Sequence, residues 1–147
     1  MDAMKPSELY DVDFAEWTRR NAELLRSGHA AEADLEHIAE EIEDMGKRER
    51  RSLHNRCVRL IEHLLKWQHQ PERRSSSWMR TIVVQRRGIR RLLDENPSFR
   101  AALTEVVAEA YDDAAAIVAA VTQRPRTDLP AVCPFSVEQL LRDEFLC

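Results

Sequence analysis

The densest group of potential ligands in the sequence is the acidic run Glu40, Glu41, Glu43 and Asp44. Glu40 and Glu43 stand about one helical turn apart, so their carboxylates share a face and could hold a divalent cation such as magnesium through oxygen. All-helical nucleotide pyrophosphatases pair such a Glu-x-x-Glu with a Glu-x-x-Asp on a later helix. Here Glu62 is followed at +3 by Leu65 and Glu105 by Ala108, and the one fitting pair, Glu109 with Asp112, lies far along the chain. A solvated helix face accounts for the four acids more simply. Di-iron bundles need Glu-x-x-His on paired helices. No Glu has a His at +3, and Asp34 with His37 is the nearest approach. No metal or cofactor site is therefore assigned.

Of the five histidines, His63 is the most informative. Two heptad steps line up Glu49, Arg56 and His63 beside the apolar stripe of Leu60 and Leu64. Gln85 and Arg86 interrupt the apolar series Ile82, Ile89 and Leu93, and Tyr111 borders a further stripe. A buried charge left unpaired costs several kcal/mol. The pattern therefore predicts a polar network in or beside the core, with Glu41, Glu49, Arg56, His63, Lys66, Arg86 and Tyr111 as members. Fixing helix register is its favoured role, and a ligand or catalytic cleft is the alternative.

No catalytic residue is assigned. Ser75, Ser76 and Ser77 read as helix caps, Cys57 as core packing and Cys147 as a terminal thiol. The glycines Gly28, Gly46 and Gly88 are isolated, so no phosphate-cradling loop is present.

Charge is distributed unevenly. Residues 1–46 hold 13 acids and 4 bases, residues 47–100 hold 15 bases and 5 acids, and residues 101–147 hold 8 acids and 3 bases. The bases are 19 Arg and 3 Lys. Arginine excess suits bidentate recognition of phosphate, and a GC-rich genome explains it equally well. Arg73, Arg74, Arg80, Arg87 and Arg91 could form a phosphate-binding stripe, but no interleaved aromatics offer base stacking. Pairing of the basic block with the two acidic blocks is the favoured expectation.

The elements that carry these residues are helical. The hydrophobic share is 44% and the charged share 33%, with a net charge of −4. This is the size and composition of one domain, expected to span 1–147 with its core over about 10–145. No apolar run approaches the ~20 residues of a membrane helix, and the N-terminus has no export pattern. Three cysteines, odd in number and without a CxxC pair, argue against a disulfide framework, so a cytoplasmic location is expected.

No proline interrupts residues 7–70, 72–96 or 98–124, and the apolar residues between follow a 3.6-residue period. Asp13, with Glu16 three residues on, opens a first helix bearing Phe14, Trp17, Asn21, Leu24 and Leu25, and Gly28 stops it. The next carries Leu35, Ile38, Ile42 and Met45, then Leu53, Cys57, Leu60, Ile61, Leu64 and Trp67. The phase favours continuity through Gly46, giving one long helix of roughly 54 Å with room for a kink. A third follows Ser75 with Trp78, Ile82, Gln85, Ile89, Leu92 and Leu93. A fourth carries Leu103, Val107, Ala110, Ala114, Ile117 and Val121. Residues 124–134, with their prolines, are expected to be an extended connection, and Ser136 with Gln139 opens a short last helix. The fold class is all-α: a bundle of about four main helices plus a short C-terminal one.

Several separate motifs then converge. They are Tyr10-Asp11-Val12-Asp13-Phe14-Ala15-Glu16-Trp17, the run Glu40 to Gly46, His63 to Pro71, Arg74-Ser75-Ser76-Ser77-Trp78, Asn96-Pro97-Ser98 and Cys133-Pro134-Phe135. Over about Tyr10 to Phe145 the chain resembles the family of bacterial proteins catalogued as domain of unknown function number twenty-nine. That resemblance implies a compact all-α fold and carries no activity with it.

The favoured function is a helical module that binds itself or another protein through exposed helix faces. The alternatives are a metal-dependent nuclease or nucleotide hydrolase using the acidic run and the His63 seam, and nucleic-acid binding through the Arg-rich centre.

Overall fold

Local capping chemistry sets where several of the helices begin. In the computed structural model, residues 4–146 are described, and every regular element among them is helical. Cys147 and the first three residues lie outside them. The order is α1 (Pro6–Val12), α2 (Phe14–Arg26), α3 (Leu35–His69), α4 (Ser76–Glu95), α5 (Phe99–Thr122) and α6 (Val137–Leu141). Short 3-10 turns cover Ala30–Glu32, Pro71–Arg73 and Arg126–Asp128.

Asp13 caps α2 by accepting from the Glu16 backbone N–H at 3.1 Å. The expected Glu16 side-chain return does not form, because that carboxylate pairs with Arg19 at 2.6 Å. Gly28 follows the helix at φ 81°, the left-handed geometry that only glycine adopts without strain. The α1 helix is an addition to the sequence reading. Pro6 occupies its first turn and the Lys5 N–H donates to Glu8 at 2.9 Å, which suffices to start a short helix.

Ser75 caps α4 by accepting from the Trp78 N–H, and Ser136 and Gln139 form the reciprocal cap of α6. The α3 helix runs unbroken through Gly46 for 35 residues. The connection over 124–134 contains one 3-10 turn, Arg126–Asp128, where a wholly extended path is expected. The Asp128 and Leu129 N–H groups find carbonyl partners in Pro125 and Arg126 there.

Backbone contacts gather in two compact units, Met1–Arg48 and Glu49–Cys147. The first holds α1, α2 and the opening turns of α3, with Leu9, Trp17 and Asn21 buried. Its apolar stripe departs from expectation: Leu35, Ile42 and Met45 of α3 and Phe14 and Leu25 of α2 are exposed.

The second unit has the larger core. Leu53, Cys57, Leu60, Ile61 and Leu64 of α3 meet Ile82, Ile89, Leu92 and Leu93 of α4. On α5 the buried face is Leu103, Val107, Ala110 and Ala114, joined by Val106, Tyr111, Ala115 and Val118. Ile117 and Val121, expected in that core, are exposed. Four buried alanines, Ala110, Ala114, Ala115 and Ala119, let neighbouring elements approach this face closely, and Val118 is buried where Ile117 was expected. Leu129, Phe135 and Leu140 close the core from the C-terminal segment.

Candidate functional site

The seven residues expected to form one polar network each bond to a group outside that set. In the first unit, Glu41 accepts from the Tyr10 hydroxyl at 2.5 Å and lies 3.5 Å from Arg48. The other six belong to the second unit. Glu49 accepts from the Asn96 side chain at 3.4 Å. The Arg56 guanidinium donates to the Gln85 side-chain oxygen at 3.2 Å and lies over Gly88.

His63 uses Nδ1–H to donate to the Arg59 carbonyl at 2.8 Å, an ordinary i to i−4 bond of a helical side chain. Burial holds its pKa below the usual histidine value, so the neutral ring is favoured. Lys66 pairs with Glu62 at 3.5 Å and sits 5.2 Å from the Trp78 ring centroid. The Tyr111 hydroxyl donates to the Pro130 carbonyl at 2.5 Å, and Arg126 stands over its ring. These contacts tie loops and helices to one another.

Arg86 and Tyr111 are the most deeply placed of the seven, each with 1% exposure, and Arg86 is the one that carries a charge. Its Nε donates to the Leu140 carbonyl at 2.6 Å, and its two terminal nitrogens to those of Asp143 at 3.2 Å and Phe145 at 2.8 Å. One turn along α4, Arg90 donates to the Leu141 carbonyl and pairs with Asp143 at 2.6 Å. A pair of guanidinium forks thus binds the last carbonyls of α6, Leu140 and Leu141, together with those of Asp143 and Phe145 in the segment after it. Val83, Arg86, Arg87, Arg90 and Asp143 line a surface cleft of about 370 Å³ at this position.

The tightest polar cluster lies in the first unit and was only grazed by the sequence reading, through the Asp34-x-x-His37 spacing. Asp34 precedes α3 and accepts from the Trp17 indole at 2.9 Å and from His37 Nδ1 at 2.6 Å. Its own N–H donates to Asn21, whose side-chain amide donates in turn to the Trp17 carbonyl. Tyr10 stacks on His37 with centroids 3.9 Å apart and rings 9° from parallel, and Phe14 and Trp17 meet Tyr10 edge-on while stacking on each other.

Burial opposes ionisation of Asp34, but the Trp17 and His37 hydrogen bonds outweigh it and hold the carboxyl below its usual range. The same bond raises the His37 pKa. Tyr10, donating to Glu41 amid further acids, is pushed up to about 12. The cluster fastens α1 and α2 to the start of α3. An aspartate three residues before a histidine is a faint signal, since it is also an ordinary capping arrangement.

The expected pairing of the basic block with the acidic blocks is only partly realised. Arg48, His54 and Arg90 reach carboxylates of the acidic blocks, Glu41, Asp113 and Asp143, while Lys66 and Arg100 pair within the basic block itself, with Glu62 and Asp94. Among the described residues, Arg51, Arg59, Arg73, Arg80, Arg87 and Arg91 make no ion pair. Most of these point outward from surface helix positions, where a long solvated side chain gains little from a fixed partner.

Among the described residues no three His, Cys, Asp or Glu side chains gather as a metal site, and no helix is long and apolar enough to cross a membrane. Cys57 and Cys133 are free thiols, both raised in pKa by burial. A comparison with protein families matches residues 9–146 to one family model, Domain of unknown function DUF29. No curated protein and no solved structure matches the chain.

Proposed function

The chain belongs to the family Domain of unknown function DUF29, and from that footing we propose that it works as a helical protein-interaction module. The observation that carries this reading is the apolar stripe on the first half of α3. Leu35, Ile42 and Met45 are 53%, 62% and 59% exposed, although they recur at the heptad spacing by which helices pack. Single exposed apolar side chains are ordinary, but a periodic row on one helix face is the form in which helices present themselves to partners. None of the internal side-chain bonds described above involves a member of this row.

The reading sets the module in the cytoplasm of a bacterium. The thiol state of Cys57 and Cys133 is compatible with that compartment.

The test is an Ile42→Glu/Met45→Glu variant compared with the wild-type chain by sedimentation velocity and by affinity capture from native lysate. Circular dichroism serves as the folding control. Both positions are exposed, so helicity is expected to persist while association or capture is lost. A wild-type chain that neither self-associates nor captures anything that the variant loses would overturn the reading.

A further inference from the structure

We infer that the partner is a second copy of this chain, with the first half of α3 in one copy docking on the outer face of α4 in the other. This inference rests on the interaction reading above and adds which two faces meet. From Arg73 to Leu93 there is no acidic residue, while seven arginines occur. Arg80, Val83, Val84, Arg87 and Arg91 recur at steps of three, four and seven along α4 and so share one face. Val83 and Val84 are 44% and 48% exposed, and the three arginines are exposed as well. None of those arginines makes an ion pair among the described residues. Asp143, which lines the neighbouring cleft with Arg87, is bonded to Arg90.

The first half of α3 is the complement of that face. From Ser27 to Gly46 there is no Lys or Arg, while seven acids occur. Glu36, Glu40 and Glu43 are exposed on the side of α3 that adjoins Leu35 and turns away from Met45, and none of the three makes an ion pair among the described residues. Each surface therefore joins exposed apolar side chains to uncompensated charge of one sign, and the two signs are opposite. Such a pair suits helix-on-helix docking: the apolar residues supply buried area and the charges set orientation and exclude like-charged alternatives. Two acidic faces would repel, and so would two basic ones, so α3 against α4 is the combination that charge permits.

Charge exchange tests this directly. One variant carries Glu36→Lys, Glu40→Lys and Glu43→Lys, and the other Arg80→Glu, Arg87→Glu and Arg91→Glu. All six positions are exposed, and single exchanges at Glu40 and Arg87 replace the triples if either loses helicity. Sedimentation at low salt is expected to show association of the wild type that weakens as salt rises. Each variant alone is expected to sediment as a monomer, having two like-charged faces. The equimolar mixture is expected to associate again, because each altered face then meets one of opposite sign.

A monomeric wild type at low salt, or a mixture that stays monomeric, overturns the self-partner. If Ile42→Glu/Met45→Glu still abolishes capture of another protein in that case, the interaction reading stands and only the second-copy assignment falls.

Discussion

The guanidinium of Arg56 lies over the α-carbon of Gly88. A Cβ at Gly88 would stand 2.6 Å from Arg56 Cζ and 2.9 Å from Nε, closer than real side chains come. A buried glycine in the middle of α4 thus makes room for a cation reaching across from α3, and Gln85, itself buried, accepts its hydrogen bond. Gly88→Ala should gain up to about 1 kcal/mol of helix propensity. It should also expel the guanidinium and leave the Gln85 amide without that bond, at about 1–3 kcal/mol. The expected sum is a modest destabilisation. In an Arg56→Ala background the same substitution should be neutral or stabilising. Chemical denaturation of the four chains of this double-mutant cycle measures the coupling, and equal effects of Gly88→Ala in both backgrounds would refute the account.

Arg86 fastens the C-terminal segment from inside the core. Arg86→Leu removes the donors to the Leu140, Asp143 and Phe145 carbonyls. Hydrogen bonds from a charged group are lost and polar atoms are stranded, so a cost of about 3–5 kcal/mol is expected. Arg86→Lys should recover little, because an ammonium on a flexible stem does not reproduce the planar fork. Hydrogen exchange should show the loss concentrated in α6 and the residues after it. Unchanged protection there in Arg86→Leu would contradict this role.

The Asp34–His37 pair makes the first unit sensitive to pH from both sides. The His37 pKa lies above its ordinary 6.5, so its contribution is complete below that value and is lost as pH rises through the folded pKa. The Asp34 pKa lies below its ordinary 3.8, so its contribution is present above that value and is lost as pH falls through the folded pKa. The pair should therefore stabilise the unit most between about pH 4 and 6.5. Proton NMR should find His37 titrating above 6.5, and Asp34→Asn should bring it down. His63, held neutral by burial, should titrate on the other side of that value. A His37 midpoint unmoved by Asp34→Asn would exclude the pair as its cause.

Much of the architecture was legible before any coordinates. Helix identity followed from apolar periodicity and from prolines at the boundaries, and the caps at Asp13, Ser75 and Ser136 followed from side chains that reach backbone N–H groups two or three residues away. The unbroken passage of α3 through Gly46 was legible in its phase. These are local interactions, and a local window contains all of their participants. The α1 helix escaped because seven residues carry too little periodicity to register.

Side-chain pairing was not legible in the same way. The sequence identified Glu41, Glu49, Arg56, His63, Lys66, Arg86 and Tyr111 as polar groups beside apolar stripes, yet their partners lie up to 59 positions away. A helical wheel gives the direction of a side chain but not what stands opposite it. The same limit explains why Leu35, Ile42 and Met45 read as core and are exposed, and why a basic block expected to be neutralised keeps several arginines without carboxylates. By itself, then, the sequence determined the all-helical class, the capped starts of α2, α4 and α6 and the family, because backbone hydrogen bonding and capping are settled within a few residues. Only the tertiary structure decided which stripes are covered and which charges are answered, because burial and ion pairing depend on what distant segments bring to the same place.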